Sequence, residues 1–288
     1  MKLKQIIVAT DFSTESNAPI CHGIEIARAS GASLLVVHVV ETPGDGEALE
    51  SAVEHWHADS KARLTRQIEA CAAKDFDVAQ QIVDAPSAME GLQSLVDSHH
   101  ADLVVMGSTG LTGIKHALLG STAQKTLRTV QAHVLVARGE TPPAAGYKRI
   151  LVPTDFSVPA EKAMELALAL ASPDAQIDLV HCWRVPEATR ADEHSKLVID
   201  AVAASVKERG RKLLESFRRD APNATFSSVN ESPERGIAQK LKEGNYDLVV
   251  VGSYGRSKLR HWLLGSVAEH TARVAPCAVA VARPDWGK

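Results

Sequence analysis

Aromatic side chains make up only 4% of the 288 residues, so the core has to be built from Ala, Val, Leu and Ile. No run approaches the ~20 consecutive apolar residues that a membrane-spanning helix needs. The start, MKLKQIIVATDFS, meets an acidic residue before a signal-peptide core can form, which predicts a soluble, cytoplasmic protein not exported by a cleaved signal. Positive charge is not in excess either. A formal charge of −3 excludes the strongly basic footprint of a protein whose main task is gripping nucleic acid. Cys21, Cys71, Cys182 and Cys277 stand far apart without CxxC or zinc-finger spacing, so they are expected to be buried thiols in a reducing compartment. A Gly-x4-Gly-Lys-Ser/Thr loop and a Gly-x-Ser-x-Gly elbow are both missing, which removes support for a Walker-type ATPase and for an α/β-hydrolase nucleophile.

What is present is written twice. Ile6-Ile7-Val8-Ala9-Thr10-Asp11-Phe12-Ser13 returns as Ile150-Leu151-Val152-Pro153-Thr154-Asp155-Phe156-Ser157, at an offset of 144. Leu103-Val104-Val105-Met106-Gly107-Ser108 returns as Leu248-Val249-Val250-Val251-Gly252-Ser253, and Leu118-Leu119-Gly120-Ser121 as Leu263-Leu264-Gly265-Ser266, both at 145. A register so nearly constant means two copies of one domain. The expected boundaries are 1–141 and 148–288, joined by a linker at 142–147 where Gly and Pro cluster without periodicity.

Each copy alternates short β-branched runs with helical patterns. Strands are predicted at 4–10, 32–39, 77–83, 101–107 and 133–138, with helices at 14–30, 49–74, 87–99 and 119–131. The second copy has strands predicted at 149–153, 175–182, 224–230, 246–252 and 277–283. Runs such as Leu34-Leu35-Val36-Val37 are apolar on both faces, as strands of a covered parallel sheet must be. The expected fold class is α/β: two tandem Rossmann-like, doubly wound domains, each a five-stranded parallel sheet flanked by four helices.

In such a sheet, ligands bind beyond the carboxyl ends of the strands. Thr10-Asp11 and Thr154-Asp155 follow the first strands. Gly107-Ser108-Thr109-Gly110, nine residues and Gly120-Ser121 follow the fourth strand, and Gly252-Ser253-Tyr254-Gly255, nine residues and Gly265-Ser266 repeat the pattern. Glycines allow close backbone approach, and a Gly-Ser pair opening a helix offers free N–H groups at the positive end of the helix dipole. Such a loop suits phosphate. Lys115 and His116 in one loop, and Arg256, Lys258, Arg260 and His261 in the other, would add side-chain charge. The bland alternative is that the glycines only make tight turns.

Gly-x2-Gly-x9-Gly-Ser after an apolar strand, together with Thr-Asp-Phe-Ser near the start of each copy, resembles the universal stress protein family in its tandem form, over nearly the whole chain. The resemblance implies a stress-response sensor or signalling module that binds ATP, or ADP or AMP, with Mg2+ accompanying the phosphates. By position it implies Asp11, Val39, Gly107, Gly110, Gly120, Ser121 and Thr122 as nucleotide-binding residues in the first copy. In the second it implies Asp155, Cys182, Gly252, Gly255, Gly265, Ser266 and Val267. Cys182 replaces an aliphatic residue, and Ala85-Pro86 and Ser232-Pro233 replace a family Gly-Pro turn. The resemblance also implies that the domains pair through their last strands, His133 to Arg138 and Cys277 to Arg283, with a homodimer of chains as a further step. No metal site, catalytic residue, nucleic acid or membrane partner is expected. At most slow ATP hydrolysis is expected, because no base, nucleophile or arginine finger is visibly arranged for phosphoryl transfer. A nucleotide-independent scaffold and a slow nucleotide hydrolase remain the alternatives.

Other motifs read more simply. His55-Trp56-His57 with Asp59 belongs to a solvated helix face, since i, i+2 histidines point to different sides. His99-His100 suits a helix end, Gly44-Asp45-Gly46 a loop, and Asn223-Ala224-Thr225 is an incidental sequon. Charge divides the copies. Residues 1–144 carry 11 Lys+Arg against 17 Asp+Glu and residues 145–288 carry 21 against 18, so an acidic half precedes a basic one.

Overall fold

The computed structural model describes residues 1–13, 17–42, 50–71, 76–108, 119–139, 145–185, 193–255 and 264–284. The first copy runs β1 (Gln5–Ala9), α1 (Asn17–Ser30), β2 (Ser33–Glu41), α2 (Glu50–Cys71), β3 (Ala79–Ala85), α3 (Ala88–His99), β4 (Leu103–Gly107), α4 (Ser121–Thr129) and β5 (His133–Ala137). The second repeats it as β6 (Tyr147–Pro153), α5 (Val158–Leu170), β7 (Ala171–Trp183), α6 (Glu193–Phe217), β8 (Thr225–Asn230), α7 (Pro233–Glu243), β9 (Leu248–Gly252), α8 (Ser266–Val274) and β10 (Ala278–Ala282). The doubly wound α/β reading therefore holds. Among the described residues no helix is long and apolar enough to cross a membrane.

Strand order is β3-β2-β1-β4-β5-β10-β9-β6-β7-β8 in one ten-stranded sheet. Within each copy the ladders are parallel, so every connection is a crossover that lays a helix on one face. Alternation along each strand divides the apolar side chains between the faces. Ile6, Val8, Leu34 and Val36 pack with Ile20 and Ile24 of α1, Leu64 of α2 and Met164 of α5. Ile7, Leu35 and Val37 pack under Leu92 and Leu95 of α3. Because both faces are covered, these strands carry no polar stripe.

The copies meet where β5 and β10 pair antiparallel, with Val136 opposite Val279, Leu135 opposite Ala280 and Val134 opposite Val281. Polar groups flank this seam. Arg138, just past β5, donates to the Ala272 and Ala275 carbonyls at the end of α8, and Arg283, just past β10, donates to the Leu127 carbonyl near the end of α4. Each arginine thus meets the carbonyl end of the other copy's last helix, where positive charge is favourable. Arg128 of α4 also pairs with Glu269 of α8 at 2.7 Å. Beneath the sheet, His22 of α1 and Tyr147 of β6 join at 2.7 Å between Nδ1 and the phenol oxygen, both side chains being buried.

Three departures from the sequence expectations have physical causes. β7 begins at Ala171, directly after α5, because Ala171 pairs with Tyr147 before a register shift towards Arg149. Gly146 permits this close approach, with φ +105 and a position where a Cβ would lie 2.7 Å from the Ser172 nitrogen. β3 is displaced two residues beyond the expected 77–83, following its register with β2 from Leu35–Ala79 to Glu41–Ala85. The reading of four free thiols is corrected. Cys21 and Cys71 form a disulfide across a separation of 50 residues, because packing of α1 on the end of α2 brings their Cα atoms to 5.0 Å. Cys182 and Cys277 remain thiols.

Burial lowers His22 to about 4 and His133, whose Nδ1 accepts from the Arg283 N–H, also to about 4. A folded-state value below the unfolded 6.5 means that the stabilisation is fully present above pH 6.5 and is lost as pH falls through about 4. Each histidine accounts for an effect on the order of 3 kcal/mol. The urea unfolding midpoint is therefore expected to fall between pH 6.5 and 4, and a His22→Gln variant, which cannot take up the proton, should lose less over that interval; parallel pH profiles would refute the assignment.

Candidate functional site

In each copy the strand order reverses beside the first strand, between β1 and β4 and between β6 and β9, and the region beyond those carboxyl ends is where an open parallel sheet takes a ligand. The second copy holds there a cavity of ≈ 240 Å³. All seven residues expected from the sequence, Asp155, Cys182, Gly252, Gly255, Gly265, Ser266 and Val267, line it. Val180, Ile237 and Val251 supply an apolar wall that sequence reasoning did not single out.

The glycine loop has a definite closure. The Gly265 N–H donates to the Ser253 carbonyl at 2.7 Å, and the Ser253 N–H donates to the Ala282 carbonyl at 2.9 Å. Gly265 then caps α8, whose first intrahelical bond runs from the Glu269 N–H to the Gly265 carbonyl. The N–H groups of Ser266, Val267 and Ala268 consequently have no helical acceptor and sit at the cavity edge. Gly252 lies against the start of α5, where a Cβ would come 2.8 Å from the Pro159 carbonyl carbon. A Cβ on Gly255 would come 2.6 Å from Asp155 Oδ2, so glycine there lets the carboxylate reach the loop.

Asp155 is oriented locally: its Oδ1 accepts from the Ser157 N–H at 3.0 Å and from the Ser157 hydroxyl. The following residue, Phe156, adopts φ +61. Its ring lies 4.7 Å from that of His181 and 4.3 Å from the guanidinium carbon of Arg209 on α6, and His181 Nδ1 donates to the Thr154 carbonyl at 2.7 Å. A left-handed phenylalanine is costly unless its surroundings hold it, and here it is clasped on two sides.

The first copy repeats this construction. Phe12 has φ +62, its ring is 4.0 Å from His38 and 4.5 Å from the Arg63 guanidinium carbon, and His38 Nδ1 donates to the Thr10 carbonyl at 2.9 Å. Burial, followed by the Arg63 charge among the lowering causes, holds His38 below its usual value although the Thr10 carbonyl opposes this. Asp11 Oδ1 accepts from the Ser13 N–H and hydroxyl at 3.0 and 2.6 Å. Gly107 ends β4, Val39 lies near the end of β2, and Gly120 donates to the Ser108 carbonyl at 2.7 Å before capping α4. Ser121 and Thr122 begin that helix on the exposed side. Gly110 lies outside the described residues, as do Lys115, His116, Arg256, Lys258, Arg260 and His261 and the Gly44–Gly46 segment.

Sequence reasoning missed the arginine partners Arg63 and Arg209 and the helical glycines Gly91 and Gly236. A Cβ on Gly91 would lie 2.7 Å from Val39 Cγ1, and one on Gly236 would lie 2.6 Å from Cys182 Sγ, so both glycines let a helix descend onto the end of the second strand. Their recurrence at an offset of 145 was a usable signal. His57 instead pairs with Asp84 at 2.8 Å. Among the described residues no group of three or more His, Cys, Asp or Glu could hold a metal ion.

Burial pushes the Cys182 thiol up to about 11 and the Cys277 thiol up to about 12. Alkylation needs the thiolate. With iodoacetamide at pH 7.5, both are expected to remain unmodified in the native protein and to react fully after denaturation; rapid native labelling of Cys182, read by peptide mass spectrometry, would contradict its burial.

Residues 2–138 and 146–283 each match the universal stress protein family. A universal stress protein of Mycobacterium tuberculosis strain H37Rv is 30% identical, with 96% of each chain covered. A Bacillus subtilis universal stress protein is 29% identical and pairs 99% of its length with 48% of this chain. The crystal structure of a universal stress protein from Archaeoglobus fulgidus superposes with a TM-score of 0.67 at 18% identity, covering 98% of this chain and 97% of its own. The chain belongs to the universal stress protein family, with the family domain present twice in tandem.

Proposed function

We propose that this tandem universal stress protein binds an adenine nucleotide, ATP or its ADP or AMP relatives, in the two crevices, and acts as a stress-response sensor or signalling module in the cytoplasm. The observation that carries the reading is the make-up of the second cavity. Its lining combines apolar side chains, Val180, Ile237 and Val251, which fit a planar base, with the Gly265-Ser266 helix start, whose unengaged N–H groups fit phosphate. Asp155 lines the same cavity, its carboxylate oriented by Ser157 and so placed to receive ribose hydroxyls. Mg2+ would be carried mainly by phosphate oxygens and water, a usual arrangement for this ion. Cys182 offers its backbone rather than its protonated thiol.

The same proposal assigns domains to 1–141 and 148–288 about a linker at 142–147, and takes the β5–β10 ladder as their arrangement in solution. The observed geometry gives binding more support than catalysis. Asp155 Oδ1 is already engaged by Ser157, and Oδ2 lies beside Gly255.

The test is calorimetric titration of the full chain with MgATP, beside Gly120→Asp and Gly265→Asp variants. Aspartate is a favourable helix N-cap and places negative charge where phosphate would lie, so the variants should fold while rejecting the ligand. Two sites are expected in the parent, one in each single variant and none in the double variant. The site left in Gly120→Asp should be the tighter, because it belongs to the basic half. Undiminished binding by the double variant, or none by the parent, would overturn the proposal.

A further inference from the structure

We propose that the Cys21–Cys71 disulfide is a reversible redox-modification site that controls the first nucleotide crevice and leaves the second untouched. This rests on the adenine-nucleotide reading of that crevice.

The bond ties the second turn of α1 to the last residue of α2. The same end of α2 holds the loop after β1. One turn before Cys71, Gln67 Oε1 accepts from the Thr10 hydroxyl at 2.9 Å, and one turn earlier Arg63 covers the Phe12 ring. Thr10 and Phe12 flank Asp11. The Phe12 N–H in turn donates to the Thr10 hydroxyl oxygen at 3.1 Å, so the backbone at Asp11 is held through a chain of contacts ending on α2. Phe12 occupies a conformation that needs such support. Releasing the end of α2 from α1 therefore loosens the segment that orients Asp11.

The second copy lacks this device. Arg209 clasps Phe156 as Arg63 clasps Phe12, but Glu165 and Phe217 stand where the cysteines would be, and Leu213 stands where Gln67 would be. Glu165 is paired with Lys162 at 3.0 Å, and Phe217 packs against the core. Two repeats with one glycine motif and one Phe-His-Arg clasp thus differ in a covalent lock on a single crevice. Among the four cysteines, the chemistry also isolates this pair. Cys21 and Cys71 are already joined, whereas Cys182 and Cys277 are thiols that burial holds above their usual value, which disfavours the thiolate that exchange needs.

The reaction is thiol–disulfide exchange with a dithiol reductant. A reductant thiolate attacks one sulfur of the pair and displaces the other as a thiolate; the second reductant thiol then attacks the mixed disulfide. The products are Cys21–SH, Cys71–SH and the oxidised dithiol, with two electrons and two protons passed to the protein. A disulfide oxidant runs it backwards. In a reducing compartment a bond of this kind is cycled rather than permanent.

The experiment uses the full chain after equilibration with oxidised glutathione or with dithiothreitol. Alkylation in denaturant should find two free thiols in the first state and four in the second. MgATP is titrated into the Gly265→Asp variant, which reports the first crevice, and into Gly120→Asp, which reports the second. Reduction should weaken the first crevice by about 5-fold or more, the lower end of ordinary site coupling, and leave the second unchanged. A Cys21→Ser plus Cys71→Ser protein should behave as reduced under both conditions. Hydrogen exchange supplies a readout without nucleotide: the Phe12 and Ser13 amides should exchange faster on reduction, while those of Phe156 and Ser157 should not. Four thiols after oxidation, equal first-crevice affinity in both states, or equal loosening of both copies would overturn the proposal. If no titration shows binding yet Phe12 and Ser13 alone respond, the nucleotide reading fails and the redox clamp stands.

Discussion

Parallel strands buried on both faces impose the plan of this molecule. A strand such as Leu34–Val37 can be apolar throughout only if helices cover both sides of the sheet, and parallel neighbours can be joined only by crossovers. Reversing the order beside β1 and β6 then sets a switch point in each copy, where neighbouring crossovers leave to opposite sides. Everything assigned to function follows from that switch point. In the second copy glycines let the fourth-strand loop approach the cavity there, the start of α8 leaves N–H groups without helical acceptors at its edge, and the aspartate after the first strand lines it.

The seam between the copies is fastened differently from their interiors. Backbone pairing of β5 with β10 provides register, while Arg138 and Arg283 each satisfy carbonyls at the end of the other copy's last helix. Those are the helices whose starts carry the Gly-Ser motif. The buried His22–Tyr147 contact adds a polar pairing beneath the sheet, offset in part by His22 Nε2, which is buried without a hydrogen-bond partner. The two copies are unequal parts: one acidic and disulfide-linked, the other basic and without that link.

Legibility differed by residue. Asp155, Gly252, Gly255 and Gly265 were singled out from strand ends, glycine spacing and the family resemblance, and they line one cavity, because a tight loop beside a strand end restricts residue type locally. The repeat itself was equally plain, as was the run of strands, although β3 shifted by two residues once its pairing with β2 was decided. Arg63 and Arg209 were not found, since an arginine on an exposed helix looks the same whether it covers a phenylalanine or meets water. The apolar wall of Val180, Ile237 and Val251 likewise read as ordinary core, because strand and helix periodicity do not say which end of an element faces a cavity.

The amino-acid order alone determined the doubled α/β domain, the family and the glycine loops, since each depends on periodicity or short-range spacing. Tertiary structure decided which separated residues meet. Cys21 and Cys71, a separation of 50 apart, could be assigned to each other only after α1 and α2 had packed. The single ten-stranded sheet, the reciprocal arginines and the Phe-His-Arg clasps also required strands and helices to be placed in space. Contacts between distant segments depend on the geometry of whole packed elements, and no local pattern in a sequence carries that information.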